Sequence, residues 1–372
     1  MRSAVVVGAG VFGGSLALRL VSSGWDVTVV EQYPPGHVRA ASGGESRLIR
    51  FAHGDNDWYT RSARRALDLW RELERETGTE LVVPSGVAWF FTEAHGWGEE
   101  SERVLTEQGI AVERLAPDEG ARLFPSFDGR GLDSILLEPE AGVLRARDAT
   151  RVISELAIER GAHFVTGKAE PDGDAVVVEG ERLEADRVVW AAGAWLAGLF
   201  PELVDLRVTR QDVYFFGAPA GWQAPTVPGW VDFDNGVYGL GELDGRGFKT
   251  SPDREGPAFD PDQGERVASE EKEHQAREYL TLRFPALAGS PLVGTRSCPY
   301  SLTEDTNFLI APHPEHEHVW LFGGGSGHGF KHGPALAEYV EPLLDGEEEP
   351  DPVFGLGARP PGGGLRAPWI ER

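Results

Sequence analysis

The stretch "TRSCPYSLTED", Thr295 to Asp305, holds Cys298, the only cysteine in 372 residues. A lone thiol cannot close an intrachain disulfide or build a multi-cysteine metal site. It is either a small buried hydrophobe or a single nucleophile, and a neighbouring cation such as Arg296 would favour the reactive thiolate. Lysine is scarce too: Lys168, Lys249, Lys272 and Lys331 stand alone among many arginines. A GC-rich coding bias accounts for that scarcity, yet a lysine kept against it is a candidate for chemistry. No HExxH, Cys/His ligand spacing or P-loop lysine is present, and "HPEHEH" at 313–318 reads as a solvated hairpin tip, so no metal site is expected.

The third chemical signal is Gly8, Gly10 and Gly13, a G-x-G-x-x-G with Val11 and Phe12 inside it. The three glycines serve a tight turn, backbone access to a pyrophosphate, and close helix–strand packing. The following helix offers N–H groups and a positive dipole end to that anion. Glu31 lies eighteen residues past Gly13, where its carboxylate can take the hydroxyls of a ribose and repel a 2′-phosphate. These residues point to a dinucleotide and leave FAD and NAD both open. A second glycine turn, "GGGSGHGFKHG", follows a strand near the C-terminus and would suit another part of the same cofactor.

The elements that must position these groups follow from periodicity. "AVVV" is a short buried strand, Leu16, Leu20 and Val21 mark a helix, and "DVTVVE" is the next strand. Residues 60–77 read as a helix and 81–92 as a hairpin with Pro84 and Gly86 at its bend. From 139 the pattern restarts as helix, strand, hairpin and the buried strand "RVVWAAGAW". Residues 206–250 show short alternating runs of an antiparallel sheet; 265–283 read as a charged helix and 284–300 return to strand. "VWLFGGG" then leads into the last helix, with Leu336, Val340 and Leu343 inward. Parallel-sheet signals alternate with antiparallel ones, which predicts two interleaved domains.

Composition narrows the partners. Sixty acidic against 35 basic residues leave a formal charge of −25, which repels phosphate backbones and anionic lipid. No run of 18 apolar residues and no leader-like N-terminus occurs, so neither a membrane span nor a signal peptide is expected, and one cysteine suits a reducing cytoplasm. Nucleic acid and membrane are therefore not expected partners.

Taken together, "SGGESRLIRFAHG", "GRGFKTS", "RSCPYSLTEDTNFLI" and "GSGHGFKHG" resemble the monomeric sarcosine oxidase family of FAD-dependent amine oxidases. Its relatives include N-methyltryptophan, pipecolate and fructosyl-amino-acid oxidases. The resemblance runs to about Leu344 with the motifs in matching order. It implies an α/β and α+β architecture: a Rossmann-like FAD-binding domain (1–83, 141–208, 292–344) interleaved with a mixed or antiparallel-sheet substrate domain (84–140, 209–291), as in D-amino-acid oxidase. The tail, 345–372, is expected to be loosely packed.

The same resemblance implies residue roles. Cys298, in its C-x-Y-S context, would carry FAD covalently through an 8α-S-cysteinyl bond. Ser42, Gly43, Ser46 and Arg47 would wrap the flavin, as would Gly325, Gly327, His328, Gly329, Phe330 and Lys331 of the second turn. Arg50 and Lys331 would grip a substrate carboxylate, Lys249 would stabilise charge developing on molecular oxygen, and Arg47 and Tyr300 would complete the site. Tyr238 is either a second pocket tyrosine or a core aromatic. The implied reaction oxidises the C–N bond of a secondary amino acid such as sarcosine to an imine and yields hydrogen peroxide, in a cytoplasmic monomer. Two positions depart from the pattern. Gly43 and Asp253 stand where sarcosine-acting relatives carry histidines, which is expected to open space near the flavin and admit a bulkier or cationic substrate.

Overall fold

A computed structural model describes residues 2–94 and 96–360. The strand Ser3–Val7 lies between Asp26–Glu31 and Arg187–Trp190, parallel to both, with Val6 opposite Val29 on one side and Val189 on the other. His163–Thr166 extends the sheet at one edge; Val319–Gly323 and the antiparallel Leu309–Pro312 extend it at the other. Alternate residues of Ser3–Val7 serve two cores. Ala4 and Val6 pack with the helices Val11–Ser22, Ala146–Glu159 and Gly333–Asp345. Val5 and Val7 pack beneath the three-stranded sheet of Ala169–Asp172, Ala175–Val178 and Glu181–Leu183. Apolar side chains on both faces are what a covered parallel sheet requires.

The second large sheet has eight strands, in the order Leu292–Leu302, Arg207–Phe216, Phe248–Pro252, Val237–Leu240, Gly229–Asp232, Val87–Phe91, Ser134–Glu138, Glu113–Leu115. All neighbours are antiparallel except Gly229–Asp232 with Val87–Phe91. The helix Glu270–Arg283 covers one face over a core of Phe90, Trp230, Phe248, Tyr279 and Phe284. That helix begins five residues later than the charged run predicts, because the Ser269 hydroxyl caps it by accepting from the Lys272 N–H. A small sheet of Arg47–Ile49, Gly142–Leu144 and Val82–Val83 links the two bodies of structure.

Three readings need correction. Residues 81–92 form no hairpin: Val82–Val83 pairs with Gly142–Leu144, whereas Val87–Phe91 joins the eight-stranded sheet. Pro84 and Gly86, at φ +73°, pass the chain from one sheet to another rather than folding it back. The long strand Leu292–Leu302 pairs with Arg207–Phe216 and not with the parallel sheet, so the chain changes sheets after Leu302. The third concerns the described part of the tail, which is not loose. Phe354 is buried against Trp58 and Tyr339, and Arg359 donates to the Phe308 and Gly355 carbonyls and pairs with Asp305 at 2.9 Å. Its polar composition concealed one aromatic anchor; 361–372 lie outside the described residues.

Candidate active site

Gly8 takes φ +103°, and a Cβ there would stand 2.6 Å from the Ala191 carbonyl oxygen; a Cβ on Gly13 would stand 1.9 Å from the Gly8 oxygen. The turn therefore brings strand, helix and the 191–193 segment closer than any side chain permits. Gly10 is the N-cap of Val11–Ser22 without a side-chain cap, although the Ser42 hydroxyl accepts from the Val11 N–H at 3.0 Å. Two clefts meet at this point. One encloses about 870 Å³ along Gly8, Gly10, Glu31 and Tyr33. The other, about 1340 Å³, runs past Gly10, Val11, Phe12, Ser42, Arg47 and Arg50 to Tyr238, Asp253, Tyr300 and the second glycine turn, Gly325 to Lys331. They share Gly10, Ala41, Ser42, Ala191 and Gly193, so one elongated ligand can occupy both. Glu31 lines the smaller cleft, but its carboxylate also accepts from the Ala9 and Tyr33 N–H groups at 2.7 and 3.1 Å. Burial raises its pKa, while those hydrogen bonds oppose the rise.

Three cations, Arg47, Arg50 and Lys331, line the larger cleft. Lys331 is buried, its Nζ donating to the His328 carbonyl at 2.8 Å, and desolvation followed by Arg50 lowers its pKa. Arg50 donates to the Ala52 carbonyl at 2.6 Å, and its guanidinium carbon stands 4.9 Å from the centre of the Trp89 ring. Lys249 is buried with Nζ 3.2 Å from the Ser46 carbonyl and 5.5 Å from the Tyr238 ring centre; burial, reinforced by Arg47, lowers its pKa to about 7. Tyr238 is therefore no distant core aromatic: it lines the cleft and shares a side-chain hydrogen bond with Tyr300.

Cys298 is buried, next to Pro299 and Tyr300 of the cleft wall. Arg47, Lys249 and Arg266 interact electrostatically with it. Arg296 Nε donates to Glu45 Oε1 at 2.7 Å, a carboxylate that Arg147 and Arg246 also approach. Gly43 overturns the idea of extra space. A Cβ there would meet the His37 carbonyl oxygen at 1.9 Å, and its own carbonyl accepts from Arg147, so backbone fills the site. Asp253 does line the cleft.

Sequence reasoning missed three aromatics and an acid. Trp89, Trp97 and Phe233 line the cleft beside Arg50, with ring centres 4.8 Å (Trp89–Trp97) and 4.5 Å (Trp97–Phe233) apart. Behind them Glu138 is fully buried. In one sequence, a tryptophan in an apolar strand looks like core. The structure also groups His53, His328 and His332, dispersed in sequence, with ligand atoms within 4.8 Å of one another. Burial and then Lys331 lower the pKa of His53 and of His332.

The FAD dependent oxidoreductase (DAO) family profile matches residues 3–342. The chain belongs to this family. It is 30% identical to the monomeric sarcosine oxidase of Bacillus sp. (strain B-0618) over 93% of each chain. It is 25% identical to the N-methyl-L-tryptophan oxidase of Yersinia pestis (strain Pestoides F), over 94% of this chain and 96% of that one. The fold matches L-proline dehydrogenase from P. horikoshii with a TM-score of 0.84 at 20% identity, covering 95% and 96% of the two chains. This FAD dependent oxidoreductase is thus a flavoenzyme, and its continuous pair of clefts with a backbone cradle at their junction fits FAD. Gly8, Gly10 and Glu31 would hold the dinucleotide end, and Ser42, Arg47 and residues 325–331 the flavin end. Among the described residues, no helix is long and apolar enough to cross a membrane.

Proposed function

We propose that the enzyme is an amine oxidase that acts on a secondary amino acid, N-methylated or cyclic, held by its carboxylate. The observation that carries this reading is the pairing of Arg50 and Lys331 in the cleft that also contains the glycine cradle, within a protein of net charge −25. A guanidinium offers two parallel N–H groups to a carboxylate and the ammonium adds a point charge, so a local positive site draws in an anion that the outer field repels. When bound, FAD supplies the two-electron acceptor that converts the substrate C–N bond to an imine, and its reoxidation by O2 yields hydrogen peroxide. The chain's own part is to bind and orient. Arg50 and Lys331 fix the carboxylate, the Trp89–Trp97–Phe233 wall shields the substrate's apolar part, and Tyr238 and Tyr300 border the reacting end. No side chain in the cleft is assigned as a strong base, because the amine enters in its neutral form. Lys249 provides a cation in a water-poor place for the oxygen step, and Cys298 tethers the flavin.

In this reading 1–83, 141–208 and 303–344 serve FAD, while 84–140 and 209–302 serve the substrate, with the 292–302 strand presenting Cys298 from the substrate side. The enzyme works as a cytoplasmic monomer; the Bacillus relative is monomeric by name. The test is an anaerobic panel of sarcosine, N-methyl amino acids, proline and pipecolate, read as flavin bleaching, then peroxide on admitting air. Bleaching by at least one of them, and none by the same amine lacking its carboxylate, is expected. Failure of the whole panel rejects the reading.

A further inference from the structure

Glu138 ends the strand Ser134–Glu138 and is completely buried. Its Oε1 accepts from Trp89 Nε1 at 2.6 Å, and its Oε2 accepts from the backbone N–H groups of Phe51 at 2.6 Å and Ala52 at 3.2 Å. Arg50 is fixed from the same two directions: its guanidinium lies against the Trp89 ring, and Nη1 donates to the Ala52 carbonyl. One carboxylate thus holds both the ring that Arg50 lies against and the residue, Ala52, whose carbonyl it contacts. Three N–H donors and no acceptor face it, which is the environment of an ionised carboxylate. Burial raises its pKa, while Trp89, Phe51 and Arg50 pull it back. Glu138 also interacts with Lys331. Arg50, Lys331 and Glu138 thus place two cationic side chains around one acidic one, an arrangement with room for a single further carboxylate. Buried charges left unmatched are strongly unfavourable, so this balance selects among ligands.

We propose that Glu138 is a positioning residue for the substrate carboxylate: it orients Arg50 through Trp89 and through Ala52, whose N–H it holds and whose carbonyl Arg50 contacts, and it sets the cluster's charge to favour a monoanion. The inference rests on the reading that Arg50 and Lys331 receive that carboxylate. Two alternatives make opposite forecasts. By Coulomb attraction alone, removing Glu138 would tighten carboxylate binding; by positioning, removal weakens it.

The experiment titrates wild-type holoenzyme, Glu138→Gln, Trp89→Phe and Arg50→Ala with propionate and with succinate, following the flavin absorbance, with FAD content and Tm as controls. Glu138→Gln is expected to bind propionate about 10-fold more weakly and to shift the succinate-to-propionate preference about 10-fold toward the dianion. Trp89→Phe keeps a ring and loses the N–H to Glu138, and should weaken propionate by about 3-fold. Unchanged or tighter propionate binding by Glu138→Gln, with Arg50→Ala abolishing it, overturns the inference alone; so does an unchanged succinate-to-propionate ratio. If Glu138→Gln does not fold, unchanged affinity in Trp89→Phe overturns it. Propionate binding unaffected by Arg50→Ala shows that the carboxylate reading itself is wrong and removes the inference with it.

Discussion

At the residue scale, Lys249 and Cys298 are distinguished by what surrounds them. Burial holds the Lys249 pKa at about 7, so the ammonium is charged below that pH and loses its proton above it. If that charge serves the oxygen step, reoxidation of the reduced enzyme slows as pH rises through about 7. Lys249→Met should slow reoxidation roughly 100-fold at pH 6, abolish the pH slope and change amine oxidation far less. Stopped-flow mixing with oxygen across pH 6–8 checks both; equal effects on the two half-reactions would exclude the role. For Cys298 the prediction is simpler. Cys298→Ala should still bind FAD, but acid precipitation should release essentially all of it, read as yellow colour in the supernatant and none in the pellet. Both residues drew attention by scarcity. Their surroundings did not, because Arg47 and Arg266 come to interact with Cys298 only through the fold.

At the element scale, the 37–47 segment behaves as a close-packed turn. Gly43 sits with its Cα against the His37 carbonyl, and the carbonyl of Ala40 accepts from the Gly43 N–H at 3.0 Å, leaving no direction for a side chain. Gly43→Ala should destabilise the holoenzyme by about 3 kcal/mol, an overpacking that only backbone movement can relieve, and should weaken FAD retention. Urea unfolding followed by flavin fluorescence measures it; a change below about 0.5 kcal/mol would mean the turn is open. Comparing residue types at one position forecast added space here, since a missing imidazole suggests a hole. The backbone had closed that hole, and residue identity carries no record of backbone position. The 81–92 strands illustrate the same gap, because a period of two marks a strand but not its partner.

At the scale of the whole molecule, the chain returns repeatedly to the six-stranded, mostly parallel sheet. Residues 346–360 close that path by laying Phe354 over Trp58, Tyr339 and Phe308. Phe354→Ala should cost about 3 kcal/mol of stability by leaving a cavity among those rings. Thermal unfolding of the holoenzyme checks it, and a Tm unchanged within 1 °C would show that the segment contributes nothing to the core.

The amino-acid sequence determined the local units on its own: the glycine fingerprint between strand and helix, the helix faces, the alternation of parallel and antiparallel segments, and the residues that resemble a flavoenzyme. These are properties of neighbours within a few positions, where spacing and side-chain type dictate backbone conformation. Tertiary structure alone decided the rest. It brought Glu138, Trp89 and Arg50, from three separate segments, into one network, set Arg47 and Arg266 to interact with Cys298, and placed Leu292–Leu302 in the eight-stranded sheet. The reason is that pairing and burial are chosen among all segments at once, and the free energy of a buried charge depends on which distant groups arrive beside it.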